Sequence, residues 1–527
     1  MRTSGNTKGP AVQARLADFS TIGWLSLIDP VHDTISGTRR GDTLSAQAGG
    51  DIVLGLAGND DLSSAFNRTA LVGGKGNDKL TTEVVVPVSG SGPVHGLAIQ
   101  IGDAGNDTLA ATVTLQGGDI RERDAIAEVL LDGGSGNDHI DAVANVALPT
   151  FGNVIVTTHV LGGSGADVIH AVADTRGAGG SDNFAMNFVD GGSGADHIMA
   201  QAETELVASH ATAINVLYGG DGNDVVDASA RGRSISTELV SNSLHGGSGN
   251  DMLRAFNLTN SDFGAPVGTN ELWGDDGKDV LEATCSAVGN GLTDVTNFLD
   301  GGKGDDTLVA DITGNGGRVR ALNQLEGGDG KDTLTAHLDV AAIGGGPAIP
   351  SYDVANVLNG GSGNDRLEAF LSIAPRFSDG SRAENRLDGG SGNDILVATV
   401  APDSGPASSI LNGGAGKDQL TVFGGSDNIL NGGDGNDILT GGIGNDHLNG
   451  QGGADRFVFG LQNGHDTVDF QKGQDVIDLR ALAATIGSFA DLAIERVGAN
   501  SVIHFDPDND VTVLGTTNLS ANDFWFA

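Results

Sequence analysis

The residues equipped for chemistry in this sequence are aspartates, and they recur at a fixed offset behind glycine. Seventeen copies of G-G-x-G-x-D or a close variant end at Asp60, Asp78, Asp107, Asp138, Asp167, Asp196, Asp224, Asp251, Asp279, Asp306, Asp332, Asp365, Asp394, Asp418, Asp437, Asp446 and Asp455. Leu56, Asp103, Asp275 and Gln451 replace the second glycine in four copies. Glycine lets the backbone enter φ > 0 and turn its carbonyls toward one point, while the carboxylate adds charge and a hard oxygen. That donor set suits Ca²⁺, which takes roughly six to eight oxygen ligands in a flexible arrangement. The candidate ligands are these aspartates together with the leading glycines Gly73, Gly133, Gly162, Gly191, Gly219, Gly246, Gly301, Gly327, Gly360, Gly389, Gly413, Gly432 and Gly441. One isolated copy would be an ordinary glycine-rich turn with a solvated Asp; seventeen in register are not. The residue just before the motif Asp, such as Asn137 or Asn250, serves turn geometry and is not expected to bind an ion through its side chain. A single cysteine, Cys285, and the lack of His-x-x-x-His or Cys-x-x-Cys spacing leave zinc and redox metals poorly served.

The spacing of these turns dictates the elements that carry them. Asp42, Asp51 and Asp60 lie nine residues apart, Asp107 to Asp394 are mostly 26 to 31 apart, and Asp437, Asp446 and Asp455 return to nine. A nine-residue unit is a turn plus a short strand, so two make one coil of a solenoid with a Gly-Asp turn on each edge. A 28-residue unit is either three half-coils or one enlarged coil, and only the enlarged coil stacks successive turns on one another. Two registers favour the enlarged coil. An Ala follows the motif Asp by four residues at Ala111, Ala142, Ala171, Ala200, Ala228, Ala255, Ala283, Ala310, Ala336, Ala369 and Ala398. An Asn precedes the motif by four residues at Asn187, Asn215, Asn242, Asn270, Asn297, Asn323, Asn356, Asn385 and Asn428, as expected of amides bonded from coil to coil. Between them run alternating strands joined by loops of varying length, such as Arg176 to Asp182 and Gly344 to Pro350, expected on the edge opposite the metal row. The expected fold is all-β: a parallel β-roll or β-solenoid over 37–455, an N-terminal cap over 1–36 and a small C-terminal β capping domain over 456–527.

Composition narrows the function. With 85 Gly, 4% aromatics and 38% hydrophobics in 527 residues, ordinary compact domains with thick aromatic cores are excluded. A formal net charge of −41 argues against nucleic acid or an anionic membrane as a partner and would be relieved by bound cations. One Cys allows no intramolecular disulfide, which leaves metal ions as the staples. The first twenty residues contain no apolar core of a secretory signal, and no stretch approaches the length of about 18 apolar residues needed to span a membrane.

Runs such as Gly432-Gly-Asp-Gly-Asn-Asp-Ile-Leu-Thr440 and Gly441-Gly-Ile-Gly-Asn-Asp-His-Leu-Asn449 resemble the repeats-in-toxin (RTX, hemolysin-type) calcium-binding nonapeptide. The resemblance covers about Gly37 to Asp455, with a spacing in the middle that departs from tandem nonapeptides. Residues 456–527 hold 8 of the 23 aromatics. Their runs Asp455-Arg-Phe-Val-Phe459, Asp466-Thr-Val-Asp-Phe470 and Gly473-Gln-Asp-Val-Ile-Asp-Leu479 are similar to the C-terminal domain of serralysin-type secreted proteins. In that family the C-terminus is an uncleaved signal read by a type I secretion apparatus, and Asn522-Asp-Phe-Trp-Phe-Ala527 resembles such a tail. The resemblance implies a chain exported unfolded and folded outside the cell by several Ca²⁺ ions.

No His-Glu-x-x-His, Gly-x-Ser-x-Gly or P-loop is present, so no enzyme is expected. The leading reading is a secreted calcium-binding surface or matrix protein that self-associates or meets cell-surface polysaccharide. A polysaccharide lyase or epimerase would need clustered Asp, Lys, Arg or Tyr, whereas Tyr218 and Tyr352 are far apart. An ice-binding or adhesive module would need a Thr ladder, and none matches the Ala and Asn registers.

Overall fold

The structure is a computed structural model and describes residues 27, 32–88, 94–146, 150–176, 178, 182–205, 210–234, 237–261, 264–341, 351–373, 381–402, 404 and 407–526. The chain forms two compact units, 1–202 and 203–527. Among the described residues there is no α-helix; short turns join β-strands, and three one-turn 3-10 helices lie near the C-terminus. Each unit is a parallel β-solenoid. The expected N-terminal cap lies outside the described residues except for 27 and 32–36, as do the loop from Gly344 to Pro350 and the last residue, Ala527.

In the first unit each strand pairs with its counterpart one repeat away. His139–Val146 runs parallel between Thr108–Gln116 and Val168–Asp174, with Ala111, Ala142 and Ala171 in one register. Thr150–Ser164 lies likewise between Gly118–Ser135 and Asp182–Ser193. One repeat is therefore one enlarged coil. At the tight end, Thr34–Ser36 pairs with Ile52–Ala57 and Thr43–Ser45 with Asp61–Ser64, the shift of 18 residues expected of two nonapeptides per coil. Period-two alternation sends every second side chain inward. Leu62, Leu80, Leu109, Ile140, Ile169 and Ile198, each two residues past a motif Asp, are wholly buried. Each such side chain contributes about 1.5–3 kcal/mol by leaving water. The thin core holds small residues where coils close on themselves, which is why the Ala row is buried too.

The second unit repeats this scheme and adds an amide ladder. Asn215, Asn242, Asn270, Asn297, Asn323, Asn356 and Asn385 are paired in register and wholly buried. Each Nδ2 up to Asn356 donates to the Oδ1 of the next at 2.8–3.0 Å. The same Nδ2 atoms also donate to a backbone carbonyl fourteen residues on, as Asn270 does to Thr284. Removing one rung strands two buried groups, each worth about 1–3 kcal/mol when unpaired. Asn297→Ala is expected to lower the unfolding free energy of the calcium-loaded protein by about 2–4 kcal/mol, read from its denaturant midpoint; a loss below about 0.5 kcal/mol would show the ladder to be idle.

Asn428 keeps the expected register: Asn385 pairs with Ser409, and Ile410 with Ile429, which sets Asn428 level with Ser409 in the same column. The chain of amides is interrupted by Ser409, whose N–H donates to Asn428 Oδ1, and Asn428 in turn donates its backbone N–H and its Nδ2 to Oδ1 of Asp446, next in that column. Near the C-terminal end the coils shorten to 18 residues, and Gly424-Gly425, with φ of 80° and 89°, turn the chain just before Asn428. Asn187, also counted in that register, accepts from Thr158 Oγ1 and donates to the Gln201 carbonyl. Parallel pairing continues past Asp455, with Arg456–Val458 on Ile438–Thr440 and Val476–Asp478 on Arg456–Val458. The chain then closes on the antiparallel strands Ala493–Val497, Asn500–Asp506 and Asn509–Leu514. There Trp525 lies under the guanidinium groups of Arg456 and Arg480, 5.6 and 5.2 Å from its ring centre. Cys285 is a small buried core residue whose thiol burial pushes up to about 12.

Candidate metal-binding turns

Each G-G-x-G-x-D segment turns sharply because its second and third glycines take φ > 0, as at Gly134 (95°) and Gly136 (129°). The third position tolerates nothing larger: a Cβ on Gly136 would sit 1.8 Å from the carbonyl oxygen of Gly105 one coil away. Leu56, Asp103, Asp275 and Gln451 adopt the same left-handed conformation, φ 64–80°, at the second position.

The motif aspartates stack, and their two carboxylate oxygens have different roles. Oδ1 accepts the backbone N–H of the motif Asp one coil earlier. In the first unit Asp60, Asp78, Asp107, Asp138 and Asp167 each donate at 2.7 Å to Asp78, Asp107, Asp138, Asp167 and Asp196 in turn. In the second unit the same bond links Asp224, Asp251, Asp279, Asp306, Asp332, Asp365, Asp394, Asp418, Asp437 and Asp455 at 2.7–2.9 Å. Asp446 stands on the opposite edge, between Asn428 and Asp466.

The second oxygen has no hydrogen-bond partner. Oδ2 is buried and unbonded at Asp60, Asp78, Asp107, Asp138, Asp167, Asp251, Asp279, Asp306, Asp332, Asp365, Asp394, Asp418, Asp437, Asp446 and Asp455. It faces the space that the leading glycine leaves by lacking a Cβ. At Gly133 that point is 2.5 Å from Asp138 Oδ2 and 2.6 Å from the carbonyl oxygen of Gly162 in the next coil. Gly162 faces Asp167 and Gly191 in the same way, and in the second unit Gly219, Gly246, Gly301, Gly327, Gly360, Gly389, Gly413 and Gly432 repeat the arrangement. Gly73 and Gly441 have the carboxylate alone among their nearest neighbours, Asp78 and Asp446 respectively.

Buried carboxylates short of partners resist ionisation. Desolvation, reinforced by neighbouring aspartates in the row, raises Asp107, Asp167, Asp279, Asp332, Asp394, Asp437 and Asp446 to about 7, and Asp251 and Asp466 to about 6. A cation beside Oδ2 would reverse that cost. The available donors are carboxylate and carbonyl oxygens, without thiolate or imidazole in the row, so the turns fit Ca²⁺.

Three further positions belong to these rows. The N–H of Asp42 donates to Asp60 Oδ1 at 2.7 Å, and Asp475 and Asp466 accept from Asp455 and Asp446 at 3.0 and 2.9 Å. Their signal in the sequence is spacing alone, 18 or 20 residues from a motif Asp. The residues before the motif Asp form an outer ladder: Asn77, Asn106 and Asn137 accept the N–H of Asn106, Asn137 and Ala166 through Oδ1. Their side chains are thus committed to the turn, in keeping with the geometric role expected of them.

A family model described as the RTX calcium-binding nonapeptide repeat, in four copies, matches residues 31–62, 212–230, 241–255, 353–370, 379–399, 423–457 and 431–464. A search of curated proteins finds no match. The matched stretches fall in both units and include Gly-Asp turns described above: these segments of the parallel β-solenoid coils match RTX calcium-binding nonapeptide repeats.

Proposed function

We propose that this protein is a secreted structural component that folds around several Ca²⁺ ions outside the cell and self-associates into a surface layer or matrix. The observation that carries the reading is the row of buried Oδ2 atoms without hydrogen bonds. At neutral pH such a row needs cations to be charged, and the ion its oxygen donors suit, Ca²⁺, is plentiful outside a cell and scarce in the cytosol. The chain would leave the cell unfolded through a type I secretion apparatus that reads its C-terminal segment, then gain folding free energy from the metal. The metal ligands in this reading are the motif aspartates and leading glycine carbonyls named above.

A structural role suits the two tyrosines. Tyr352 is buried, 2% exposed, and Tyr218 stacks on His245 at 4.9 Å, which itself stacks on Trp273 at 4.3 Å. Neither is presented as the exposed base of a lyase. A solenoid also offers strand edges for association at its ends. Light scattering in millimolar Ca²⁺ is expected to show a mass that grows with protein concentration; monomers alone would overturn the self-associating part of this reading. Labelling of intact cells that produce the protein tests its placement outside them.

A further inference from the structure

Asp51, on the opposite edge, differs from the motif aspartates in which of its carboxylate oxygens is left without a hydrogen bond. At the motif aspartates Oδ1 takes an N–H; Asp42, Asp466 and Asp475 accept at Oδ2, from Thr38, Asn463 and Gln471, and at Asp51 Oδ2 is again the acceptor. Its Oδ2 accepts the N–H groups of Gln47 and Ala48, both at 2.8 Å, while Oδ1 is buried without a hydrogen bond in a residue 0% exposed. The preceding rung explains what that oxygen meets. Ile52 donates its N–H to the Asp33 carbonyl and His32 donates to that of Gly50, so Asp33 holds the motif-Asp position one coil earlier, with His32 before it. His32 Nδ1 lies 3.8 Å from Asp51 Oδ1 and 3.6 Å from Asp33 Oδ2, and the three ligand atoms are all within 4.8 Å of one another.

We propose that His32 Nδ1, Asp33 Oδ2 and Asp51 Oδ1 bind a first-row divalent ion of the zinc type, at a site separate from the calcium turns. An imidazole nitrogen with two carboxylate oxygens is a donor set for Zn²⁺ and a poor one for Ca²⁺, which prefers oxygen alone. Three protein ligands leave a coordination position for water. The Gln47 and Ala48 amides fix the Asp51 carboxylate so that its free oxygen faces the other two ligands, the outer-shell support that metal carboxylates require. The burial of that unbonded oxygen is the second sign of a ligand here, independent of the clustering.

The test is a Zn²⁺ titration of the full chain in saturating Ca²⁺, with bound zinc counted after dialysis, for the wild type, His32→Gln and Asp33→Asn. The account expects each variant to lose one zinc equivalent, or to bind it more than about tenfold more weakly, with an unchanged calcium-loaded circular dichroism spectrum. Co²⁺ bound to the wild type should show visible absorption bands altered in His32→Gln. Equal zinc stoichiometry and affinity in all three proteins would overturn the proposal. So would displacement of the ion by millimolar Ca²⁺, which would make the site one more calcium position. Because calcium folding is monitored separately, failure here leaves the reading of the RTX turns untouched, and failure of that reading would show first in the spectrum.

Discussion

Acidifying the calcium-free protein from pH 8 to pH 5 is expected to stabilise it, and the same change in calcium is expected to destabilise it. Seven motif carboxyls sit near 7 and two more of the rows near 6, against an ordinary value of 3.8. A carboxyl raised on folding binds its proton more tightly in the native state. Its favourable contribution is complete below about 4 and is lost as pH rises through about 7. With several groups on the order of 1–3 kcal/mol each before relaxation, the metal-free chain should be least folded at pH 8 and gain β structure, read by circular dichroism, toward pH 5. Self-repulsion from a net charge of −41 at pH 7 acts in the same direction. With Ca²⁺ bound, protons and metal compete for Oδ2, so affinity and stability fall as pH drops toward 5. Opposite slopes of folded fraction against pH, with and without calcium, are the expected result; parallel slopes would mean that the carboxylates do not meet the ion.

The second large effect comes from one methyl group. Gly304→Ala places a Cβ 1.4 Å from the Gly277 carbonyl oxygen in the adjacent coil, at a φ of 132°. No side-chain motion relieves a clash with stacked backbone, so the coils must part and break the Asp279–Asp306 and Asp306–Asp332 rungs. The cost should exceed about 4 kcal/mol, in the range reserved for backbone strain combined with broken networks. A control is Leu56→Gly, which removes a left-handed residue that is half-exposed and should leave stability equal or higher by about 1 kcal/mol. Denaturant midpoints of both variants in saturating Ca²⁺ check this; a Gly304→Ala loss below about 1 kcal/mol would contradict the stacking.

Much of this was legible because a solenoid converts sequence spacing directly into position. Ala142 stacks between Ala111 and Ala171, and Asn297 between Asn270 and Asn323, as their offsets from the motif imply. Asn428 obeys the same offset as Asn385 and shares its column through Ser409, although the coils have by then shortened. Asp466 and Asp475 join the rows although no motif precedes them, because backbone register and not motif identity places them. The division of labour between Oδ1 and Oδ2, and its reversal at Asp51, is a matter of carboxylate orientation and has no counterpart in residue order.

The central claim is that calcium on the motif carboxylates folds the chain. Far-UV circular dichroism of the chelated protein during a Ca²⁺ titration at pH 7.5 tests it most directly. The account predicts a cooperative change from coil to β structure, reversed by chelation; a β spectrum that chelation leaves unaltered would contradict it, making the Gly-Asp turns parts of a metal-independent fold.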